Sequence, residues 1–527
     1  PSPLINRVWS AVVRLDYTQG QFLPIGQLLS LFSREAVEEE LTIYRDQRET
    51  AHENEMLYRA IETEPSNESV APDVHFHTMR GYRKIFAVLV LIQLPGRIQR
   101  FVNEGVSDAD LPFVKVKTNE LGLRRTWSFK LRRKNSRGTT LRCFQRWTIR
   151  ELEMFESRQW LFLAPYFSRD PTEPRKVLQY ILPESAVLPF TSHSRVSGTR
   201  THCSQLFKVG IHPDHHSLKY DGDLETDCSH FFAIKELSPN AHANAQDELL
   251  ALRLVNKTAH PHLITLLASY QQHENLYLIF PWAQCDLDSF WKQNDPQNDP
   301  MMRYWAMRQL EGLASGLAAI HSFRVSSEDS IFSGSPIIGF RDNNSPPAVN
   351  DQPEIEVELF CRHGDIKPQN ILWFPDTNHK GGILKLADFG TAEVKAEEAA
   401  SRQSYAWSQT YRPPESCDYY DYSLPRQALV ATSYDIWGLG CVFLEFIVWL
   451  FGGPDALVHF TTERYLEDQS MDAHFQVGTA FFVLRPDGIT GKPLAYVKKS
   501  VDQVCWTAND LYMGGKHRIG LTFIHST

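Results

Sequence analysis

Residues 363–370 read His363-Gly364-Asp365-Ile366-Lys367-Pro368-Gln369-Asn370, and eighteen residues after Asn370 stands Asp388-Phe389-Gly390. The first segment fits HxDxKPxN, a pattern that average residue usage would produce in on the order of one chain in several thousand of this length. Carboxylate and amide oxygens are the ligands a magnesium ion takes, and an ammonium beside them can neutralise phosphate charge as it moves. The residue types are compatible with phosphate chemistry assisted by a divalent cation. Turn capping would account for such polar residues singly but not for their joint spacing.

Other segments extend the pattern. Phe231-Phe232-Ala233-Ile234-Lys235 reads as a strand ending on a lysine, and Asp247-Glu248-Leu249-Leu250-Ala251-Leu252 reads as a helix ahead of His260-Pro261-His262-Leu263-Ile264. Downstream come Tyr411-Arg412-Pro413-Pro414-Glu415 and Asp435-Ile436-Trp437-Gly438-Leu439-Gly440. Together these residues resemble the eukaryotic-type serine/threonine protein kinase family over roughly 205–450. In layout the chain is also similar to fungal kinase-domain proteins with a long N-terminal extension.

The resemblance implies an α+β, two-lobed protein-kinase-like fold and transfer of the γ-phosphoryl group of ATP, with Mg2+, to serine or threonine hydroxyls of protein substrates. It assigns Asp365 as the carboxylate that accepts the hydroxyl proton and Lys367 as the cation on the γ-phosphate. Asn370 and Asp388 become the Mg2+ ligands, Lys235 the α/β-phosphate lysine, and Glu248 the helix carboxylate that holds it. Leu276 to Ala283 resembles the hinge strand, with Phe280 as gatekeeper and the backbone of Pro281 and Ala283 beside adenine. Asp286 or Asp288 is the candidate for a ribose hydroxyl, and Asp435 for binding catalytic-loop backbone. Ser408 falls where such kinases usually carry a threonine.

The chain departs from the family in four places. Lys208-Val209-Gly210-Ile211-His212-Pro213-Asp214-His215-His216 stands where a G-x-G-x-x-G phosphate cover is expected, with Val209 and Gly210 against the nucleotide. Fewer glycines narrow the backbone conformations that aim N–H groups at phosphate, so weaker nucleotide binding is expected. Gly364 replaces the arginine that grips a phosphorylated loop, so activation is expected without loop phosphorylation. A segment rich in Ser, Asp, Asn and Pro, 322–360, reads as an inserted surface loop. Lys516-His517-Arg518-Ile519 resembles faintly the arginine motif that pairs with Glu415, and 455–510 matches nothing in the pattern.

These residues need elements to hold them. Strand-like runs at Leu206–Gly210, Phe231–Leu237 and Leu276–Pro281 flank a helix at Ala243–Val255, and a long helix comes next at Met301–His321. A few strands with one helix, then a mostly helical remainder, suggest a two-lobed α+β unit, which the resemblance implies is a kinase N-lobe at 205–284 and a C-lobe at 285–527 with an atypical C-terminal end. The first 200 residues form a mixed, mainly helical N-terminal domain of unknown role, with a helix at Leu28–Leu41 and a buried apolar segment at Lys84–Leu94. The Ser/Thr/His-rich stretch 191–204 reads as the linker between them. A basic run at 123–142 alternates with Trp127, Phe129 and Leu131 and reads as the solvated face of a strand pair, with a phosphate or nucleic-acid patch as the less favoured reading.

With 527 residues, two or three domains are expected. Apolar residues are 42% and charged residues 22%, ordinary globular values that exclude wholesale disorder and rod-like folds. The net charge of −9 argues against a dedicated nucleic-acid binder. Eight cysteines without a CxxC pair suit reduced thiols in an intracellular setting, cytoplasmic or nuclear. No basic-then-apolar leader opens the sequence as given, and the apolar run Ile436–Phe451, interrupted by Glu445, reads as a buried helix and not a membrane span. The leading reading is therefore a serine/threonine protein kinase acting on protein substrates, with an unknown partner for the N-terminal domain. The alternative is a pseudokinase scaffold that binds partner proteins with weak or no transfer, and the complete polar set disfavours it.

Overall fold

The computed structural model of the chain describes residues 3–43, 58, 81–118, 128–134, 141–170, 172–196, 204–218, 231–238, 242–296, 299–326, 337–338, 356–376, 381–395, 408–416, 432–469, 476–489 and 493–505. Helices and sheets are mixed along it. The largest sheet has seven strands, in the order Ile337–Ile338, Gln179–Ile181, Ala268–Gln272, Asn275–Pro281, Phe231–Leu237, Ser204–Ile211 and Phe190–Arg195. Gln179–Ile181 runs parallel to both its neighbours, and the remaining pairs are antiparallel.

Period-two alternation gives the sheet two unlike faces. Phe190, Val209, Phe232, Ile234, Tyr270 and Ile279 are buried on one side, with Phe167 and Tyr180. The helix His242–Thr258 joins the other core through Leu249 and Leu252, beside Leu276 and Leu278. Lys235, next to Ile234 in sequence, consequently faces that helix and meets Glu248.

The expected linker at 191–204 begins and ends in this sheet, where Phe190–Arg195 pairs antiparallel with Ser204–Ile211, while 197–203 lie outside the described residues. Only Phe190 of that strand is buried, and its Ser, Thr and His residues lie on the solvated side or are half-buried. An edge strand with one wet face carries polar residues, so its composition is indistinguishable from a loop's. A boundary drawn at 200–205 therefore cuts through a sheet to which residues 179–181 and 190–195 both belong.

The long helix Pro300–His321 starts where Asp299 accepts a hydrogen bond from the Met301 N–H, with Pro300 at its first position. It buries Trp305, Ala306, Leu310, Leu313, Leu317 and Ile320 along one stripe. The helix Ser433–Gln469 packs Val442, Phe446, Trp449 and Leu450 into the same core. It is long and apolar enough to cross a membrane, yet half of its apolar window is buried inside the protein. Gly453, at φ 72°, breaks it, and Pro454 comes directly after. The segment 322–360 is not loop throughout: Phe323–Ser326 pairs with Glu356–Arg362, whose end pairs with Glu393–Lys395.

Residues 3–162 build a separate core from the helices Pro3–Ala11, Ile25–Leu31, Arg34–Ile43, Arg83–Leu91, Ile98–Glu104 and Ile149–Gln159. The helix expected over Leu28–Leu41 is two helices that break at Phe32-Ser33. Part of the basic run forms Ser128–Arg133, paired with Phe113–Thr118, and Arg124, Arg125 and Trp127 lie outside the described residues. Arg133 binds Asp110 at 2.6 Å and Lys115 binds Glu156 at 2.6 Å, so charge of this hairpin is tied within its own unit.

Candidate active site

Three chain-distant residues meet at one ammonium. Lys235 Nζ donates to Glu248 Oε1 at 2.7 Å and to Asp388 Oδ1 at 2.6 Å. Burial pushes the Lys235 ammonium toward its neutral form, but the two carboxylates outweigh it and the net shift is upward. Lys235 in turn holds the Asp388 carboxyl down at about 2. Burial pushes the Glu248 carboxyl up, with Lys235 opposing. The Glu248 side chain is 4% exposed and that of Asp388 49%, so the first anchors the lysine from inside and the second presents it to solvent.

The loop 363–370 is held from below by the helix Ser433–Gln469. Asp435, fully buried, accepts hydrogen bonds from the backbone N–H of His363 at 2.7 Å and of Gly364 at 2.8 Å. His363 is also buried; its Nε2–H donates to the Ala387 carbonyl at 2.9 Å, and its ring lies 4.7 Å from that of Phe389. These contacts join the loop to 387–389 and hold Asp388 at φ 64°, a left-handed conformation that costs a non-glycine residue about 1–3 kcal/mol. Within the loop, Lys367 Nζ donates to Asp365 Oδ2 at 2.6 Å, and Asn370 Nδ2 donates to the Asp365 carbonyl and to Oδ2 at 2.8 and 3.0 Å.

Asp365, Lys367 and Asn370 therefore form one hydrogen-bonded group, and Lys235, Glu248 and Asp388 another. Asn370 commits its amide nitrogen to Asp365, which leaves Oδ1 as acceptor; Asp388 binds Lys235 through Oδ1, which leaves Oδ2. A carboxylate oxygen and an amide oxygen are the hard donors Mg2+ prefers, so the residues fit that ion. Pro281 ends its strand opposite Phe232, and Ala283 lies two residues on, packed at the edge of the core. Asp286 caps the helix Leu287–Gln293 by accepting from Ser289 N, and Asp288 pairs with Lys292, so both have structural work already.

Val209 and Gly210 are not beside this site. Lys235 stands opposite Leu206, while Val209 and Gly210 pair with Phe232 and Phe231 farther along the strand, and Val209 is wholly buried in the sheet core. Between the strands Phe190–Arg195 and Ser204–Ile211 in sequence, residues 197–203 lie outside the described residues and hold Gly198 as their one glycine. The segment after the strand instead docks on the N-terminal residues. Asp214 Oδ2 accepts from the Gly26 N–H at 3.1 Å, His215 Nδ1–H donates to the Pro165 carbonyl at 3.0 Å, and the Phe22 ring meets the rings of His212 and His215 edge-on. Glycine spacing misleads here, because the partner strand of Ser204–Ile211 is Phe190–Arg195, whose polar residues give no strand signal.

Sequence reasoning also missed a buried ion pair, Arg464 with Glu445 at 2.7 Å. The one signal was Glu445 itself, a carboxylate inside an apolar run. Glu415 is exposed, and its expected partner segment 516–519 lies outside the described residues.

Residues 358–452 match the protein kinase domain. "Protein kinase MCK1" of Saccharomyces cerevisiae is 40% identical over 101 residues, 18% of this chain and 23% of that protein. "Cyclin-dependent kinase 14" of Callithrix jacchus is 38% identical over 90 residues, 17% of this chain and 18% of that protein, and the Mus musculus protein of that name shows the same identity over the same length. The chain thus spans less than a quarter of the length of these curated relatives. The resemblance to eukaryotic-type protein kinases holds over the stretch that carries Asp365, Lys367, Asn370 and Asp388. Lys235 and Glu248 precede that stretch and reach it in space.

Proposed function

We propose that the chain is an ATP- and Mg2+-dependent serine/threonine protein kinase, with residues 204–284 as N-lobe, 285–505 within the C-lobe, and strands 179–181 and 190–195 extending the N-lobe sheet. The observation that carries this reading is the double ion pair of Lys235 with Glu248 and Asp388, beside the Asp365–Lys367–Asn370 group. A bound Mg–ATP would supply the γ-phosphoryl group, with Asn370 and Asp388 holding the metal and Lys235 the α/β-phosphates. The chain's own task is positioning and charge. Asp365 orients the acceptor hydroxyl and takes its proton, while Lys367, tethered to Asp365, neutralises charge on the transferred group. Proline at 281 has no N–H, so it offers adenine only its carbonyl. The five described cysteines carry free thiols, which suits the intracellular setting included in this proposal. Protein substrates with Ser or Thr acceptors belong to the same reading.

Radiolabel transfer from ATP to a generic acceptor protein tests it, with wild type beside Asp365→Asn and Asp388→Asn. Asp365→Asn is expected to spare Mg–ATP affinity and lower turnover by about 100-fold or more. Asp388→Asn is expected to weaken metal-dependent nucleotide binding in calorimetry. Wild-type transfer rates in both variants would overturn the proposal, and a binding-only wild type would favour the scaffold alternative.

A further inference from the structure

The match to the kinase domain stops at Gly452, one residue before the break in the helix Ser433–Gln469. Past the break the chain builds a compact unit: the second half of that helix, the hairpin Phe482–Pro486 with Pro493–Val497, and a helical turn at 499–505. Phe460, Phe481 and Val501 are buried with Cys441 of the helix's first half, and Tyr411 and Trp437 pack against them. The unit therefore sits on the part of the chain that holds the catalytic loop.

Its centre is Arg464, fully buried, whose guanidinium lies 4.3 Å from the Phe460 ring centroid and 4.0 Å from that of Phe481. Arg464 Nη2 donates to Glu445 Oε1 at 2.7 Å, and the Tyr411 hydroxyl donates to Glu445 Oε2 at 2.7 Å. Lys498 Nζ clamps the Arg464 and Gly478 carbonyls at 2.8 and 2.7 Å, and Asp468 accepts from the Val477 and Gly478 N–H groups. Thr410 and Thr479 share a hydroxyl hydrogen bond of 2.6 Å. Thr410 is thus fastened to the unit through Thr479, and its neighbour Tyr411 to Glu445, the buried partner of the unit's Arg464. The fastened segment borders the reacting group, because a Cβ on Gly438 would meet Ile366 Cβ at 3.2 Å and the Tyr411 carbonyl at 3.7 Å.

We propose that the described residues past the break, 454–469, 476–489 and 493–505, are a platform that fixes segment 408–416 beside Asp365, with Arg464 as the positioning residue, acting through Glu445 and Tyr411 on acceptance of the protein substrate. This rests on the kinase reading. Lys235, Glu248 and Asp388 stand on other elements and Asn370 bonds Asp365, so the nucleotide-binding groups are held by contacts other than those of the platform. Removing Arg464 alone strands a buried carboxylate and threatens folding. The test therefore uses Tyr411→Phe, which removes one hydroxyl, and the double variant Arg464→Met/Glu445→Leu, which removes both charges together.

Each full-length variant is measured for transfer to a generic acceptor protein, for Mg–ATP affinity by calorimetry, and for amide exchange in 408–416. The expected result is a fall of about tenfold or more in kcat/KM for the acceptor, with Mg–ATP affinity within about twofold of wild type. Amide exchange in 408–416 rises at the same time. A merely structural role would lower nucleotide affinity together with the folded fraction, and that pattern would overturn the proposal. Wild-type acceptor kinetics with unchanged exchange would overturn it alone and leave the kinase reading intact. A wild-type chain that transfers nothing would overturn both.

Discussion

At the scale of single residues, Gly390 shows how little room the site has. A Cβ there would stand 3.1 Å from Lys235 Nζ, 3.2 Å from Asp388 Oδ1 and 3.5 Å from Glu248 Oε2, inside the ion triad. Gly390→Ala is therefore expected to spread the triad and cut phosphoryl transfer about tenfold, the equivalent of roughly 1.4 kcal/mol. Turnover and circular dichroism of the same sample check this: lost activity with an intact fold is the expected pair. Most of this site could be read in the chain, because Asp365, Lys367 and Asn370 lie within one short loop and Asp388 stands at a telling distance behind them. Lys235 and Glu248 were legible only through the order of the segments around them. Arg464 was not legible at all. Its partner Glu445 is 19 residues away, Tyr411, which shares that carboxylate, is 53 away, and an arginine in a helix ordinarily signals a wet surface.

At the scale of elements, segment 408–416 is fastened by Tyr411 to Glu445 and by Thr410 to Thr479. Gly364 sits at φ 84°, and a Cβ there would stand 2.9 Å from the Thr391 carbonyl, so a side chain at this position is strained. Arg362, the neighbouring cation, is engaged by Glu393 at 3.2 Å. Phosphatase treatment of active protein is accordingly expected to leave the rate within about twofold. A large loss, restored by rephosphorylation at Thr410 or elsewhere in 391–410, would contradict this. The long helix was legible, expected over Met301–His321 and found over Pro300–His321. The strand Phe190–Arg195 was not, because a solvated edge lacks the apolar alternation that identifies a strand. Nor was the break at Phe32-Ser33, where two short helices share one amphipathic pattern.

At the scale of the whole molecule, His215 pins the sheet to the N-terminal residues. Burial holds its imidazole down at about 4, with the Pro165 carbonyl and Asp214 opposing and His212 and Lys84 reinforcing. A histidine kept neutral in the folded state binds fewer protons than in the unfolded chain, so stability falls as pH drops from about 6.5 toward 4. The expected loss between pH 7.5 and pH 5 is about 2 kcal/mol from this group. His215→Phe should flatten that part of the pH dependence in chemical denaturation, and an unchanged slope would refute it. His262, also held near 4 by burial, supplies a similar slope that the variant retains. The domain plan was only half legible, since one sheet recruits strands from both sides of a polar stretch. That sheet also has a consequence for biosynthesis. Gln179–Ile181 pairs in parallel with Ser269–Gln271, so it leaves the ribosome about ninety residues before its neighbour exists. At about 5–20 residues per second the wait is roughly 5–18 seconds. During that interval Tyr180, buried in the finished protein, is without its partner strand, and the nascent chain carries an open sheet edge that other chains could capture.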